Sequence, residues 1–287
     1  MATKKRSRAA KQPSRRQGPS LPPRVFAQAS PRSIGGVSLF DVQEQISTAS
    51  VVNFLSERDI VQRAVLRLKD AGFDILRTLN MPPTTLLQDS LLLRQGGFGL
   101  YEGLPDAPTC QLLLEDALRR STTDARRAHT TSSDSQPERG GAPGRDLLNM
   151  SGGVVLQRLY SAPTMLDWLR RLTWPGLQPS GGQGTYSFYL QPGDHLDLHR
   201  DVAPCEVAVI TCLLDALDAQ APGGRLTLYP QRVAEPLQRI RQSPEAGRVT
   251  LRLRPRQTLV MLGGLVPHAV EPVVRGQSRI VSVLCYH

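Results

Sequence analysis

The heptapeptide HLDLHRD, residues 195–201, contains two overlapping His-x-Asp triplets: His195 with Asp197, and His199 with Asp201. The chain has only five histidines in 287 residues, and two of them lie in this one segment. Imidazole nitrogens and carboxylate oxygens are metal ligands, and residues two apart in a strand point to the same side. Either triplet at a strand end can therefore direct one nitrogen and one oxygen at a common point.

A third ligand has to come from elsewhere in the chain. His268, in the segment GGLVPHAVEP, follows the apolar run TLVML and is the only other histidine of the C-terminal region before the last residue. Two histidines and one carboxylate on one face of an ion form the facial triad of non-haem Fe(II) oxygenases, which leaves coordination positions open. These residues predict a metal site made of His268 and one of the two triplets.

The segments that would position these ligands are predicted to be short β-strands. Turn residues such as Gly193, Pro255 and Gly276 separate apolar runs after residue 184. Several short strands at this spacing, with little helix between them, predict a β-sandwich or jelly roll. The predicted strands are TYSFYL, EVAVITCLL, RLTLYP, RVTLRLRP, QTLVML and SRIVSVLCYH.

Three stretches together resemble one protein family. YLQPGDHLDLHRD resembles the Tyr…Gly…His-x-Asp segment of the 2-oxoglutarate- and Fe(II)-dependent oxygenases, in the prolyl-hydroxylase-like branch. APGGRLTLYP is similar to that family's Gly-Gly-x-Leu strand, and TLVMLGGLVPHAVEPVVRGQSRIVSVLCYH to its distal His and the Arg that follows. The resemblance covers residues 185–287. It implies a mainly β fold with flanking helices, a double-stranded β-helix (jelly roll), that works with Fe(II), 2-oxoglutarate as co-substrate and O2.

The resemblance also implies roles for individual residues. In the family the first ligand follows the strand Tyr by about ten residues, and this spacing leads from Tyr189 to His199. His199, Asp201 and His268 would then be the catalytic iron ligands. Arg279, eleven residues after His268, would bind the distal carboxylate of 2-oxoglutarate, since a guanidinium grips a carboxylate with two parallel hydrogen bonds. Tyr189 would hydrogen-bond the co-substrate, with a place in the hydrophobic core as the alternative.

Some positions stay open at this point. Arg275 is an alternative to the implied arginine, but its Arg-Gly-Gln turn favours exposure. Val281 stands where the family often has Ser or Thr, and VITCLLDAL lacks a Tyr that some branches use. Asp201 favours hydroxylation, because halogenating relatives have a small residue there. His195 is expected to be a partly solvated loop residue; as the alternative, His195 and Asp197 share a strand face and line the site entrance or support the ligands.

Outside this region the chain is expected to form three further parts. Residues 1–34 combine clustered charge, Pro and Gly and should be a disordered basic tail. Residues 35–105 predict a small α/β module or the N-terminal layer of the main domain, residues 106–149 a helix and a flexible linker, and residues 150–287 the jelly-roll domain. The tail holds nine of the 35 basic residues, so the remainder carries 26 − 25 = +1 of the formal +10.

These features define the expected activity and its alternatives. The resemblance implies hydroxylation of an unactivated C–H, in an amino-acid residue of a peptide or protein or in a free amino acid, with succinate and CO2 as co-products. A non-catalytic metal- or ligand-binding jelly-roll protein is one alternative. A nucleic-acid-directed oxygenase is another, but the nearly neutral body disfavours it, and the tail would contact polyanions weakly. Four cysteines without CxxC spacing and the lack of a long apolar stretch predict reduced thiols, a cytoplasmic location and no membrane contact.

Overall fold

The computed structural model describes residues 90–132, 137–202, 204–216, 222–233 and 235–287. The expected basic tail, and the strand, helix and strand predicted between residues 50 and 79, lie outside these ranges. The helices described are Leu91–Arg94 (α1), Ala107–Asp124 (α2), Val154–Tyr160 (α3), Pro163–Leu172 (α4) and Leu237–Gln242 (α5), with a 3-10 turn at Pro230–Arg232. The strands are Phe98–Glu102 (β1), Arg126–Thr130 (β2), Arg145–Ser151 (β3), Thr185–Tyr189 (β4), His195–His199 (β5), Val207–Asp215 (β6), Leu226–Leu228 (β7), Val249–Leu251 (β8), Gln257–Met261 (β9), His268–Val270 (β10) and Arg279–Tyr286 (β11).

The strands pair into one antiparallel sheet that curls into two halves. One half has the order β1-β9-β6-β11-β4, and the other has the order β5-β10-β7-β8. β3 joins them, because it pairs with both β4 and β5, and β2 pairs with its other edge. From β4 to β11 the chain crosses repeatedly between the halves. This is the connectivity of a jelly roll, and the fold prediction is confirmed.

The predicted C-terminal strands are confirmed as well. β4, β7, β8, β9 and β11 each lie within one of the six predicted segments, and β6 extends one residue beyond its segment, to Asp215. β9 is buried at all five positions, as expected for a strand that is covered on both faces. β6 lies between β9 and β11, which explains why its sequence is apolar along most of its length.

The helices pack on the sheet as their apolar residues predict. Met165, Leu169 and Leu172 recur at helical spacing in α4, and all three are buried. α2 begins where the Asp106 carboxylate accepts a hydrogen bond from the amide of Thr109, an N-cap that contributes about 1 kcal/mol. None of the helices in the described part of the chain has the length and hydropathy needed to span a bilayer; the compartment stays a prediction.

The region expected to contain a flexible linker includes strand as well as helix. α2 extends to Asp124, β2 follows at Arg126–Thr130, and β3 begins at Arg145. The polar sequence was misleading because β2 is an edge strand, whose exposed positions need no apolar residues. Residues 96–105, at the end of the segment predicted as an α/β module or N-terminal layer, contain β1, which pairs with β9. The sheet therefore extends beyond residues 150–287, although the division into four parts stays a prediction.

The prediction that all four cysteines are free is wrong for two of them. Cys205 and Cys285 form a disulfide across 80 residues of sequence. Sheet pairing brings them together, because Cys285 on β11 lies opposite Ala208 near the start of β6. Cys110 and Cys212 are free and buried. Sequence spacing gave no sign of the bond, since it depends on which strands become neighbours.

Candidate metal centre

The structure brings His199, Asp201 and His268 together. His199 is the last residue of β5, Asp201 follows two residues later, and His268 is the first residue of β10. His268 and His199 are cross-strand partners, and their rings lie 4.2 Å apart between centroids. One ligand atom from each of the three side chains lies within 4.8 Å of the others. Within the described residues this is the only such group of three or more His, Cys, Asp or Glu side chains.

The geometry of this group fits one metal ion. The Asp201 Oδ1 atom lies 3.4 Å from His199 Nε2 and 3.7 Å from His268 Nε2. Two ligand atoms that are each bonded to one ion at about 2.1 Å lie about 3 Å apart when the two bonds are at right angles. They lie at most about 4.2 Å apart, when the two bonds point in opposite directions. Both separations therefore allow a shared ion without a change in the backbone.

Hydrogen bonds hold both imidazoles in the orientation that a metal ligand needs. His199 Nδ1 lies 2.8 Å from the carbonyl oxygen of Asp197, and His268 Nδ1 lies 2.9 Å from that of Val266. A carbonyl oxygen only accepts, so each Nδ1 carries the proton and each Nε2 keeps its lone pair. The lone pairs then point at the Asp201 carboxylate, as in metal sites where a backbone carbonyl fixes the histidine tautomer.

The electrostatic environment favours the protonation states of His268 and Asp201 that bind a cation. Burial, together with His199, lowers the pKa of His268 to about 4. Burial alone would raise the pKa of Asp201, but His268, His199 and Arg139 together bring that pKa below its usual value. At neutral pH the site therefore presents a neutral imidazole at His268 and a carboxylate at Asp201. Such a donor set binds a divalent ion without first losing a proton.

Two arginines fix the segment between the ligands. Arg200 is fully buried, pairs with Glu138 at 2.8 Å, and donates to the carbonyl oxygens of Leu265 and Val233. Arg139 donates through Nε to the carbonyl oxygen of Asp201. Glu138 and Arg139 belong to the presumed linker, so sequence analysis missed both. In the sequence they are visible only as two adjacent charged residues before a pair of glycines, which does not indicate a functional site.

A buried ion pair lies directly behind the metal ligands. Arg139 Nη2 is 2.6 Å from Glu206 Oε1, and both side chains are less than a tenth exposed. Burial raises the pKa of Glu206 to about 7, against the lowering effect of Arg139. Gly263 and Gly264 make room for this group: a Cβ at Gly263 would overlap the Asp201 carboxylate, and one at Gly264 would contact Arg139 and Glu206. The close approach of these side chains therefore requires glycine at both positions.

Arg279 lies inside the fold without an acidic partner. It is 1 % exposed, sits opposite Tyr189 in the β4–β11 pairing, and donates through Nη1 to the carbonyl oxygen of Gly224. Its Nε has no hydrogen-bond partner, and it forms no ion pair with any residue that the structure describes. Gly224 precedes β7 in the opposite half of the sheet, so the guanidinium spans the interior between the halves. A buried unpaired cation is costly, which indicates that an anion completes this site.

Tyr189 lines the same interior face as Arg279. Its side chain is 3 % exposed, and burial raises its pKa to about 12, although Arg279 and Arg145 act in the opposite direction. The hydroxyl is therefore protonated at neutral pH and is a hydrogen-bond donor. Leu226 and Val270 are buried cross-strand partners on β7 and β10.

His195 and Asp197 lie outside the three-residue group. His195 is partly exposed, and its Nδ1 lies 2.8 Å from the carbonyl oxygen of Gly193. Asp197 accepts a hydrogen bond from Ser132 and lies 3.5 Å from His195 Nε2. Both residues belong to β5, whereas His195 was expected in a loop.

The chain shares its fold with solved structures. The epimerase SnoN in complex with Fe3+, alpha-ketoglutarate and nogalamycin RO matches at 15 % identity with a TM-score of 0.50, over 70 % of this chain and 80 % of that one. A prolyl-4-hydroxylase from Pseudomonas putida matches at 17 % identity with a TM-score of 0.47, over 66 % and 91 %. A prolyl hydroxylase from Trichoplax adhaerens, in complex with a hypoxia inducible factor peptide fragment, matches at 16 % with a TM-score of 0.48, over 68 % and 85 %.

The chain has the fold of the 2-oxoglutarate- and Fe(II)-dependent oxygenases. No family model matches the sequence, and no curated protein matches it significantly. At these identities the likeness establishes the oxygenase fold alone. The activity has to be argued from the His-Asp-His group and from the buried arginine.

Proposed function

We propose that this protein is an Fe(II)- and 2-oxoglutarate-dependent dioxygenase. It would hydroxylate an unactivated C–H of an amino-acid residue in a peptide or protein, or of a free amino acid. One observation carries the proposal: a His-Asp-His group with both Nε2 lone pairs free lies in the same fold as a buried arginine without an acidic partner. The first is the donor set of a non-haem iron site, and the second is a place for the co-substrate's carboxylate.

In this proposal His199, Asp201 and His268 hold Fe(II) on one face. The remaining positions of the ion are then available to 2-oxoglutarate and O2. Bound iron would couple the oxidative loss of CO2 from 2-oxoglutarate to oxygen insertion, so that O2, 2-oxoglutarate and R–H become R–OH, succinate and CO2.

The protein's own residues would orient the co-substrate and shelter the reaction. Arg279 binds the distal carboxylate through Nε and the guanidinium edge, and Tyr189 donates a hydrogen bond from its protonated hydroxyl. Arg139 and Arg200 hold the backbone between two of the ligands. Buried side chains around the site exclude water, which strengthens each of these charge-assisted bonds.

The test is anaerobic addition of Fe(II) and 2-oxoglutarate to the purified protein. A weak visible absorption band that needs both additions is expected. Succinate formation under O2 should follow with candidate amino acids and peptides, and the product mass should rise by one oxygen atom. A protein that binds metal but shows no band and forms no succinate would instead be a non-catalytic binder on this scaffold.

A further inference from the structure

Arg145 lies on the same interior face as the residues proposed to bind the co-substrate. Asn149 on β3 lies opposite Ser187 on β4, and its amide donates to the Ser187 hydroxyl at 3.1 Å. Alternate residues of a strand share a face, so Arg145 points to the side of Asn149, and Tyr189 to that of Ser187. The opposing effect of Arg145 on the Tyr189 pKa agrees with this proximity.

Arg145 also lies beside the strand that carries the first metal ligand. Its partner on β5 is Leu196, three residues before His199, and its partner on β2 is Thr130. Arg145 therefore lies on a strand directly beside the one that carries His199. The side chain is partly buried, which makes it accessible to a ligand that enters from solvent.

The charge of Arg145 is not neutralised by any acid in the part of the chain that is described. The only hydrogen bond of its side chain there is a long one, 3.4 Å from Nε to the carbonyl oxygen of Pro143. Two other arginines nearby each have a carboxylate partner: Arg127 pairs with Asp194 at 2.6 Å, and Arg139 pairs with Glu206. Arg145 departs from this pattern.

The two carboxylates closest to Arg145 in sequence or in strand register interact with other residues. Asp146 points to the opposite face of β3, where it pairs with Arg127 and lies 3.3 Å from His129. Asp197 accepts from Ser132 and faces His195. Neither carboxylate forms an ion pair with Arg145, so the cation is kept available at the site.

We propose that Arg145 is a specificity-determining residue that binds a carboxylate of the primary substrate. This inference rests on the proposed function, because it places the substrate next to the metal centre. One unpaired guanidinium matches a monoanion better than a doubly charged phosphate, and its planar edge fits a carboxylate. The carboxylate can belong to the main chain of a free amino acid or to an Asp or Glu side chain of a peptide.

The experiment measures binding by titration calorimetry under anaerobic conditions, with Fe(II) and 2-oxoglutarate present. The probes are free amino acids and their carboxamides, short blocked peptides that contain Asp or Glu and their Asn or Gln counterparts, and inorganic phosphate. The variants are Arg145→Gln and Arg145→Lys. Arg126→Gln is the matched control: Arg126 is an exposed β2 arginine opposite Asn149 that donates to the carbonyl oxygens of Thr123 and Ala125.

At least one carboxylate probe should bind, and its amide counterpart should bind about ten- to a hundredfold more weakly, the value of a charge-assisted hydrogen bond. Arg145→Gln should weaken carboxylate binding by a similar factor and remove the preference over the amide. Arg145→Lys should keep part of the preference, and Arg126→Gln all of it. Which pair of probes shows the effect identifies the source of the carboxylate.

Equal binding of carboxylates and amides, binding of none of the carboxylates, or tightest binding of phosphate would overturn the proposal. So would a loss of 2-oxoglutarate affinity in Arg145→Gln as large as that in Arg279→Met, because Arg145 would then serve the co-substrate. The two proposals fail differently: the oxygenase proposal fails if the wild type shows no absorption band with Fe(II) and 2-oxoglutarate. The Arg145 proposal fails with that band intact.

Discussion

Replacing Arg279 with methionine separates a ligand-binding role from a structural one. Methionine has an unbranched, uncharged side chain that is shorter than that of arginine, so it occupies part of the same interior space without a cation. In the ligand-free protein Arg279 has one hydrogen bond, to Gly224, and an Nε without a partner. The variant loses that bond, worth about 1 to 2 kcal/mol, but no longer has to bury an unpaired charge. The stability of the ligand-free protein should therefore change little, or rise.

The effect on 2-oxoglutarate should be large. The variant lacks two charge-assisted hydrogen bonds to the buried carboxylate of 2-oxoglutarate, which lowers the binding free energy by about 3 to 4 kcal/mol. This loss raises the Kd for 2-oxoglutarate by roughly a hundred- to a thousandfold. At a ligand concentration a hundred times the wild-type Kd, 2-oxoglutarate stabilises the wild type by about 2.7 kcal/mol. The same concentration stabilises the variant by about 0.4 kcal/mol or less.

Thermal unfolding with Fe(II), with and without 2-oxoglutarate, measures both the stability of each protein and its stabilisation by the ligand. The ligand should raise the Tm of the wild type by about 5 to 10 °C and that of Arg279→Met by about 1 °C. Arg232→Met is the control: Arg232 is also buried, but it pairs with Glu235 at 2.8 Å and donates to the carbonyl oxygens of Ser243 and Ala246. That control should lose about 3 to 5 kcal/mol of stability and keep its response to 2-oxoglutarate.

The result that refutes the reasoning is the reverse pattern. If Arg279→Met unfolds as readily as the Arg232 variant while its ligand-induced shift stays near the wild-type value, Arg279 is a structural residue. The anion site would then have to be sought at another cation, with Arg275 as the remaining candidate from the sequence.

Three further predictions concern the metal centre. His199→Ala or His268→Ala should abolish succinate formation while His195→Ala keeps most of it, because only the first two imidazoles face the shared carboxylate; equal losses in all three would mean that the ligand register is wrong. In the metal-free protein His268 has a pKa near 4 against 6.5 for an ordinary histidine. The unfolded chain then binds more protons between these values, so the unfolding free energy contributed by this group is complete above about pH 6.5 and falls by up to about 3 kcal/mol as the pH drops to about 4. Urea unfolding at both pH values should show this, and His268→Gln should remove that part of the pH dependence; an unchanged slope would contradict it. Arg139→Leu leaves Glu206 buried without its cation and should cost about 3 to 5 kcal/mol, and it should weaken Fe(II) binding about tenfold or more by releasing the ligand loop. Adding Glu206→Gln should recover stability in denaturant titrations but not the iron affinity, and a full recovery of both would show that Arg139 has no positioning role.

The strands of the jelly roll were predictable from the sequence because their signals are local. Segments such as QTLVML and TYSFYL have the residue types of strands and are bounded by turns, and both became strands. β2 and β1 were missed for the complementary reason. β2 is polar because it lies at a sheet edge, and β1 is a short strand flanked by glycines, so neither has a pattern that differs from a loop.

The candidate site shows the same division. HLDLHRD and PHAV carried the metal-ligand types, and family resemblance selected His199 over His195. The supporting groups could not be read from the sequence. Arg139 and Glu206 are 67 positions apart and form an ion pair only because the segment before β3 folds against the ligand loop. The disulfide between Cys205 and Cys285 likewise depends on which strands are neighbours.

By itself the sequence determined the short strands, the ligand types and the charge that is concentrated in the first 32 residues, since each depends on residues close together in the chain. Tertiary structure alone decided that Arg279 and Arg145 face the interior without acidic partners among the described residues. The physical reason is that the free-energy cost of an unpaired cation depends on its burial and on which carboxylates lie within reach. The same two quantities decide whether the cation is available to bind an anionic ligand. Those two quantities exist only after distant strands have paired.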